Sequence, residues 1–397
     1  MADKTALQES SQALFCAIAD FLGISESNKL LDLKKFVTYE DFKIKNEKII
    51  SNASIKIVSP GVTLKDIESF LIENEDWYKS SILIANSLIK EISNIDSDFK
   101  IKSSGFQNIY YFRGDADIMG NIQKLFNIAN KSPITIKKQA TFGNINKWNP
   151  ADIYLASDNA KNIIKKEVDK AKPNSYTFSN LNILTSDLID SGDLLPLSLK
   201  KTTSTVTIQR VNFDRKQEIE MLKKISIKSV TDWKPYKPVK FPNKGETRDM
   251  RIILNTGGDI KFRHDPSAGR FVAEFIGGGA EARGGSIGSM KVFCELLGFL
   301  DKATANKVLN EFILGEKEYN KNIEPVKKMR AALDKKNPKL FDFKRGEISA
   351  VNIINRIMPI LKLWFSKKDP RVNEFIRLMF EYVTSRTQLS GKFVIAK

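Results

Sequence analysis

Apolar residues recur at helical spacing through the first quarter of the chain. Residues 4 to 23 carry them on one side only, which predicts an amphipathic helix. Residues 64 to 95 repeat the pattern in two pieces that break near residues 75 to 78. We therefore predict an N-terminal helical region over residues 1 to 100.

Short apolar or alternating runs dominate the next part of the chain, and each predicts a strand. The runs are NIYYFRG (108–114), ITIKKQATF (134–142), DIYLAS (152–157), LLPLSLKK (194–201) and STVTIQRVNF (204–213). Helical patterns separate them over residues 115–131, 158–171 and 181–192, the last closed by Gly192. This alternation predicts an α/β core over residues 101 to 230.

A change of pattern follows the predicted core. The segment TDWKPYKPVKFPNKGE (231–246) holds three prolines, four lysines and three aromatic residues, and it reads as a linker or as an ordered arm along a partner. Three strand patterns and a glycine-rich turn follow, so residues 231 to 289 are predicted as a linker with a small β region. Helical periodicity then runs from residue 290 to about 386, and we assign residues 290 to 397 to a helical C-terminal domain.

These elements together predict the fold class α+β, with a mixed β-sheet flanked by helices and a helical C-terminal domain. No apolar run reaches 18 residues, so we expect no membrane partner. The N-terminus has helical spacing and an early acidic residue instead of an export signal. We expect a cytoplasmic protein whose cysteines, Cys16 and Cys294, are reduced thiols in helices.

The net charge of the chain limits the classes of partner that we expect. The net charge is +17, from 64 basic and 47 acidic residues. Such an excess favours a polyanion, most commonly nucleic acid. The alternative is a lysine-rich surface with no such partner. His264 is the single histidine, which excludes zinc sites and nucleases built on several histidines. No phosphate-binding P-loop is present either.

One acid and one lysine stand at the ends of two predicted strands. Asp152 opens the strand of residues 152–157, and Ser198 and Lys200 close the strand of residues 194–201. Because side chains alternate along a strand, Ser198 and Lys200 point to the same side. If the two strands are neighbours, the three side chains converge. The alternative interpretation takes each residue by itself. Asp152 would then cap a turn, Ser198 would have no specific role, and Lys200 would be a solvated charge at the end of a strand.

The convergence would suit phosphodiester hydrolysis. Mg²⁺ prefers oxygen ligands and keeps several waters, so one or two carboxylates can hold it. We expect Asp152 to bind Mg²⁺ or Mn²⁺ as a cofactor. Lys200 would position the attacking water and stabilise developing charge, and Ser198 would act through a metal-bound water.

The phrases "NPAD" before one strand and "PLSLKK" at the end of the other resemble the PD-(D/E)XK nuclease superfamily, over about residues 105 to 215. Asp152 corresponds to its first acid and Lys200 to its lysine, while Ser198 stands where the superfamily prefers Asp or Glu. The resemblance implies a further acid from a preceding helix, for which Glu9 and Asp117 are candidates. "KWNPADIYL" and "SLKK" also resemble phrases in uncharacterised proteins of tailed bacteriophages.

Several basic and polar residues are candidates for nucleic-acid contact. Arg283 in the glycine-rich turn and Lys291 in the following helix suit backbone phosphates, unless the turn is simply a hairpin loop that needs positive φ. Lys201 and Gln209 lie near the predicted cleft. We therefore expect a metal-dependent endonuclease, or a nuclease-derived binding protein, acting on double-stranded DNA in the host cytoplasm. The alternative is a non-catalytic phage structural protein of the virion, with assembly partners or a homo-oligomer.

Overall fold

The structure is a computed structural model. It describes residues 3–22, 35–92, 109–133, 142, 144–231, 250–255, 258–265 and 270–277, and close to the C-terminus residues 373, 376, 377, 380, 381, 386 and 389–397. The chain divides into two compact units, Met1–Arg215 with Gln388–Lys397, and Lys216–Thr387.

A six-stranded mixed sheet forms the centre of the first unit. Its strands are β1 (Ile57–Val58), β2 (Ile109–Phe112), β3 (Ile153–Ser157), β4 (Leu194–Leu199), β5 (Ile208–Val211) and β10 (Phe393–Ala396). Their order across the sheet is β1-β2-β3-β4-β10-β5. The pairs β1–β2 and β4–β10 are parallel, and the other three pairs are antiparallel. All residues of β3, β4 and β10 are buried, so both faces of the central sheet are covered.

Eight helices lie in the described part of this unit. They are α1 (Lys4–Phe21), α2 (Tyr39–Ser54), α3 (Leu64–Glu73), α4 (Glu75–Ile92), α5 (Met119–Lys131), α6 (Ile145–Trp148), α7 (Asp158–Lys170) and α8 (Phe178–Asp190). Helix α1 packs against α4, α2, α3 and β1, while α4 reaches β5, α7 reaches β3 and α8 reaches β4. The sheet therefore supports helices along its whole width.

Side-chain caps determine where several of these helices begin. Thr63 and Asp66 form a capping box at the start of α3, and Thr177 and Asn180 form one at α8. Each box satisfies amides that have no partner inside the helix. Helix α8 is followed by Gly192 with φ of 72°, which lets the chain reverse into β4.

Aromatic rings fill the core between α1, α2 and α4. Phe15 packs against Phe42 and Tyr78 with ring centroids 5.4 and 5.6 Å apart, and both contacts are fully buried. This packing attaches α1 firmly to the rest of the unit and so determines where its N-terminal turns lie.

The second unit contains the helix α9 (Arg215–Lys223), which begins at the boundary, and a four-stranded antiparallel sheet. Its strands, in order of pairing, are β6 (Ile227–Thr231), β7 (Met250–Leu254), β8 (Gly258–Asp265) and β9 (Arg270–Gly277). Ile252, Leu254 and Ile260 are buried.

Most predicted elements in the described residues are confirmed, including the break between α3 and α4 and the strands β2, β3 and β4. The predicted strand over residues 134–142, the proline-rich linker and the helices predicted from residue 290 to 386 lie almost wholly outside the described residues. None of the helices described is both long and apolar enough to cross a bilayer.

The chain is divided differently from the four predicted domains. Helices α1 to α4 belong to the same unit as the sheet, so residues 1 to 100 are not separated from the core. The predicted helical C-terminal domain also ended at residue 397, whereas Phe393–Ala396 forms β10 between β4 and β5. This short apolar run is buried by long-range pairing, which helical periodicity upstream cannot reveal.

Candidate functional site

The beginning of β3 and the end of β4 lie side by side. The antiparallel register pairs Ile153 with Leu197, and the amide of Asp152 donates to the carbonyl of Leu197 over 2.9 Å. One step further, Asp152 therefore lies opposite Ser198, with both side chains on the same face of the sheet. The two strands are neighbours, which is the condition on which the expected convergence depends.

The Asp152 carboxylate is the centre of a small polar network. Its Oδ2 accepts hydrogen bonds from the Ser198 hydroxyl (3.1 Å) and the Leu199 amide (2.6 Å). Lys200 Nζ lies 3.6 Å from the same oxygen and donates to Ser198 Oγ over 2.9 Å. The Asp152 side chain keeps 25% of its surface exposed. The acid is thus accessible at the edge of the sheet, and its own turn is closed instead by Asn149 Oδ1, which accepts from Ala151 N.

The loop before Asp152 is held by the C-terminal segment of the chain. Asn149 Nδ2 donates to the carbonyl of Lys392, and the amide of Gly391 donates to the carbonyl of Trp148. The indole of Trp148 is fully buried and donates to Asn182 of α8 over 2.8 Å. These contacts explain why a tryptophan and an asparagine precede the acid: they anchor the loop that leads into β3.

Of the two candidates for a further acid, Glu9 pairs with an arginine that directly follows β2. It lies in the N-terminal half of α1 and forms an ion pair with Arg113, with 2.6 Å between Oε2 and Nε. Burial raises the pKa of Glu9, and the Asp152 charge adds to that rise, whereas Arg113 and Lys200 oppose it. Arg113 follows Phe112, which pairs with Tyr154 of β3, so the ion pair of Glu9 and Arg113 lies near the strand end where Asp152 opens β3.

Asp117, the other candidate, pairs with a different partner. Its Oδ2 lies 2.6 Å from Nζ of Lys161, and its side chain is 52% exposed. The pair connects the segment before α5 to the first turn of α7. Neither residue contacts Asp152, Ser198 or Lys200.

The remaining predicted contacts are distributed more widely. Lys201 forms an ion pair with Asp76 and lies 5.4 Å from the centre of the Trp77 ring, so it turns towards α4. Gln209 on β5 pairs with Ile395 of β10, which pairs in turn with Ser198. Gln209 therefore shares the face of Ser198, two strands away. Arg283 and Lys291 lie outside the described residues.

Arg113 is the residue of this site that sequence reasoning missed. It follows β2 directly, and its amide donates to the carbonyl of Val58 over 2.9 Å. A charged residue at the end of the aromatic strand pattern NIYYF was the available signal, but nothing nearby in sequence connects it to Glu9.

The carboxylates of Glu9 and Asp152 are oxygen donors of the kind that a hard divalent cation takes. Two carboxylates, Glu9 and Asp152, lie at this edge, each with one oxygen that has no hydrogen-bond partner among the described residues. Over the same residues, no group of three His, Cys, Asp or Glu side chains comes together. Mg²⁺ or Mn²⁺ can be held by one or two carboxylates with water in the other positions, whereas Zn²⁺ needs ligands that this site does not supply.

Searches of family models, of curated proteins and of solved structures found no match to this chain.

Proposed function

We propose that this chain is a metal-dependent nuclease that hydrolyses phosphodiester bonds in double-stranded DNA. The observation that carries the proposal is the convergence of Asp152, Ser198 and Lys200 at one sheet edge, together with the Glu9 carboxylate. The resemblance of the same residues to the PD-(D/E)XK pattern supports it, as does the resemblance to bacteriophage proteins. On this proposal the protein acts in the cytoplasm of an infected host.

Each residue has a defined task in this proposal. Glu9 and Asp152 would hold Mg²⁺ or Mn²⁺, which neutralises phosphate charge and lowers the pKa of a bound water. Lys200, kept next to Asp152 by its hydrogen bond to Ser198, orients the attacking water and stabilises the charge that develops on the phosphorus oxygens. Ser198 donates to Asp152 and holds the carboxylate in one orientation.

The positive charge of the chain supports a nucleic-acid substrate. A net charge of +17 attracts a polyanion, and each phosphate neutralised by a lysine or arginine releases a counterion. Binding to DNA should therefore weaken steeply as the salt concentration rises.

A non-catalytic role is the second candidate, either in DNA binding or as a virion structural protein with assembly partners. Two features favour it. The Asp152 oxygen nearest to Lys200 is already engaged by a hydroxyl and by a backbone amide. Ser198 also supplies no negative charge where the resembling superfamily prefers one.

Plasmid cleavage separates the two candidates. Supercoiled DNA is incubated with Mg²⁺, with Mn²⁺ or with EDTA, and nicked and linear products are measured for the wild type, Asp152→Asn and Lys200→Ala. Lys201→Ala is the matched control, because this neighbouring lysine turns towards Asp76 and Trp77. We expect metal-dependent cleavage that falls about 100-fold or more in the first two variants and stays near the wild-type rate in the control.

Cleavage that persists in Asp152→Asn and Lys200→Ala would exclude this site. Absence of cleavage combined with salt-sensitive DNA binding would favour the non-catalytic binding protein. Absence of both would favour the structural role.

A further inference from the structure

We propose that Arg113 is the phosphate-binding residue of this site and that Glu9 holds its guanidinium in place. The inference rests on the proposed function and deepens it, because it assigns recognition of the scissile phosphodiester to a residue outside the Asp152–Ser198–Lys200 network. The ligand class is a phosphate anion of the DNA backbone.

The position of Arg113 is set by the sheet. Strands β2 and β3 are antiparallel, with Phe112 opposite Tyr154, so Arg113 comes opposite Ile153, its side chain starts from the face of Ile153, and it lies at the strand end where Asp152 opens β3. The hydrogen bond from its amide to Val58 continues the pairing with β1. Because neighbouring strands hold the backbone on both sides, the position of the Arg113 Cα is fixed. It lies at the sheet edge that carries Asp152.

The guanidinium is only partly used within the protein. Its Nε donates to Glu9 Oε2 over 2.6 Å, and Nη1 and Nη2 have no hydrogen-bond partner among the residues that the structure describes. The Arg113 side chain is 21% exposed and that of Glu9 is 18% exposed. A guanidinium held at one side presents its remaining N–H groups as a rigid fork, which is the geometry that binds two phosphate oxygens.

The role of Glu9 follows from its neighbours. Its carboxylate interacts electrostatically with Asp152 and with Lys200 as well as with Arg113. The ion pair of Glu9 and Arg113 also lies at the strand ends near which the proposed hydrolysis takes place. The competing explanation is that Arg113 only neutralises a half-buried acid and has no contact with the ligand.

The two explanations predict different results for DNA binding once Glu9 has been replaced. Removing Arg113 alone would uncover the Glu9 charge and repel DNA indirectly, so the informative comparison is Glu9→Gln against the double variant Arg113→Gln with Glu9→Gln. Binding of a short fluorescein-labelled DNA duplex is measured by anisotropy in EDTA over a range of salt concentrations. Thermal melting of each variant verifies that it is folded.

We expect the double variant to bind the duplex about ten-fold more weakly than Glu9→Gln and with a salt slope lower by about one, as for one lost phosphate contact. The matched control is the ion pair of Arg210 and Glu91, whose side chains are 26% and 29% exposed on the same sheet and the helix beside it. Arg210→Gln with Glu91→Gln should bind as Glu91→Gln does, with the same slope.

Equal affinity and slope for Glu9→Gln and its double variant would overturn the inference, and so would failure of Glu9→Gln to bind the duplex. This readout is independent of cleavage. Suppose that Asp152→Asn abolishes plasmid cleavage, while Glu9→Gln and its double variant bind the duplex with the same affinity and salt slope. In that case only the inference about Arg113 fails. If no variant or wild-type protein cleaves but binding depends on Arg113, the catalytic proposal fails and the phosphate site stands.

Discussion

Lys200 lies 3.6 Å from the Asp152 carboxylate but only 2.9 Å from the hydroxyl of Ser198, which in turn donates to Asp152. Ser198 therefore bridges the ammonium and the carboxylate, because a hydroxyl can accept from one and donate to the other. A carboxylate at this position could only accept. The serine thus explains how an acid and a lysine stay together in the absence of a second acid on β4.

Replacing the bridge with an acid should make the fold depend on a divalent cation. In Ser198→Asp, a second negative charge would lie beside Asp152 in a buried position, and we expect the free energy of unfolding to fall by about 2 kcal/mol in EDTA. Mg²⁺ or Mn²⁺ should then raise Tm more than in the wild type, since it binds only the folded site.

Ser198→Ala is the control for that experiment. It loses the bridge at a cost of about 1 kcal/mol without adding charge, so its Tm should respond to Mg²⁺ no more than that of the wild type. A metal response of Ser198→Asp equal to that of Ser198→Ala would contradict the assignment of a cation site.

Gly391 should not tolerate a side chain. A Cβ built on it would lie 2.9 Å from Cζ2 and 3.0 Å from Cε2 of Trp148, whose indole is fully buried. Because that indole anchors the loop before Asp152, we expect Gly391→Ala to cost about 2 kcal/mol of stability, measured by urea denaturation.

Trp148→Phe provides the second half of a double-mutant cycle with Gly391→Ala. The smaller ring removes the atoms that clash with the new Cβ. The stability losses of the two single variants should therefore add to more than the loss measured for the double variant. Strict additivity would show that the glycine matters for another reason.

Loss of β10 should unfold the first unit. This strand lies between β4 and β5, its residues Phe393 to Ala396 are buried, and its last carbonyl accepts from the amide of Lys200. Removing residues 389 to 397 would leave both neighbouring strands without partners on that side. Circular dichroism and limited proteolysis should therefore report loss of cooperative folding. A truncated chain that melts like the wild type would refute the strand's central position.

Asp20 should make the protein less stable as the pH rises. Burial raises its pKa from 3.8 to about 8, although the Lys56 charge and the Tyr111 hydroxyl oppose this rise. The folded protein keeps a proton that the unfolded chain releases, so stability declines as pH increases from the unfolded value towards the folded one. Asp20→Asn, which carries no charge, should melt at a higher temperature than the wild type.

The gain in Tm of Asp20→Asn should grow between about pH 5 and about pH 8. Asp187→Asn, at an exposed position of α8, is the matched control and should track the wild type throughout. A constant difference between Asp20→Asn and the wild type across this range would show that Asp20 does not titrate as described.

Local patterns predicted most of the described elements. Continuous apolar runs indicated β3 and β4, and helical periodicity with an interruption indicated α3 and α4. These signals are reliable because burial on both faces of a strand, or on one side of a helix, imposes its own spacing on neighbouring residues. Asp152 and Lys200 could be selected in the same way, as charges at the mouths of two buried strands.

The sequence by itself thus determined the strand ends that carry the acid and the lysine, and the net charge that favours an anionic partner. Only the tertiary structure decided that Glu9 pairs with Arg113 and Asp117 with Lys161, and that the last strand enters the sheet between β4 and β5. The reason is physical: alternation and periodicity record which side of an element is buried, whereas the partner that buries it is chosen by packing between segments far apart in the chain.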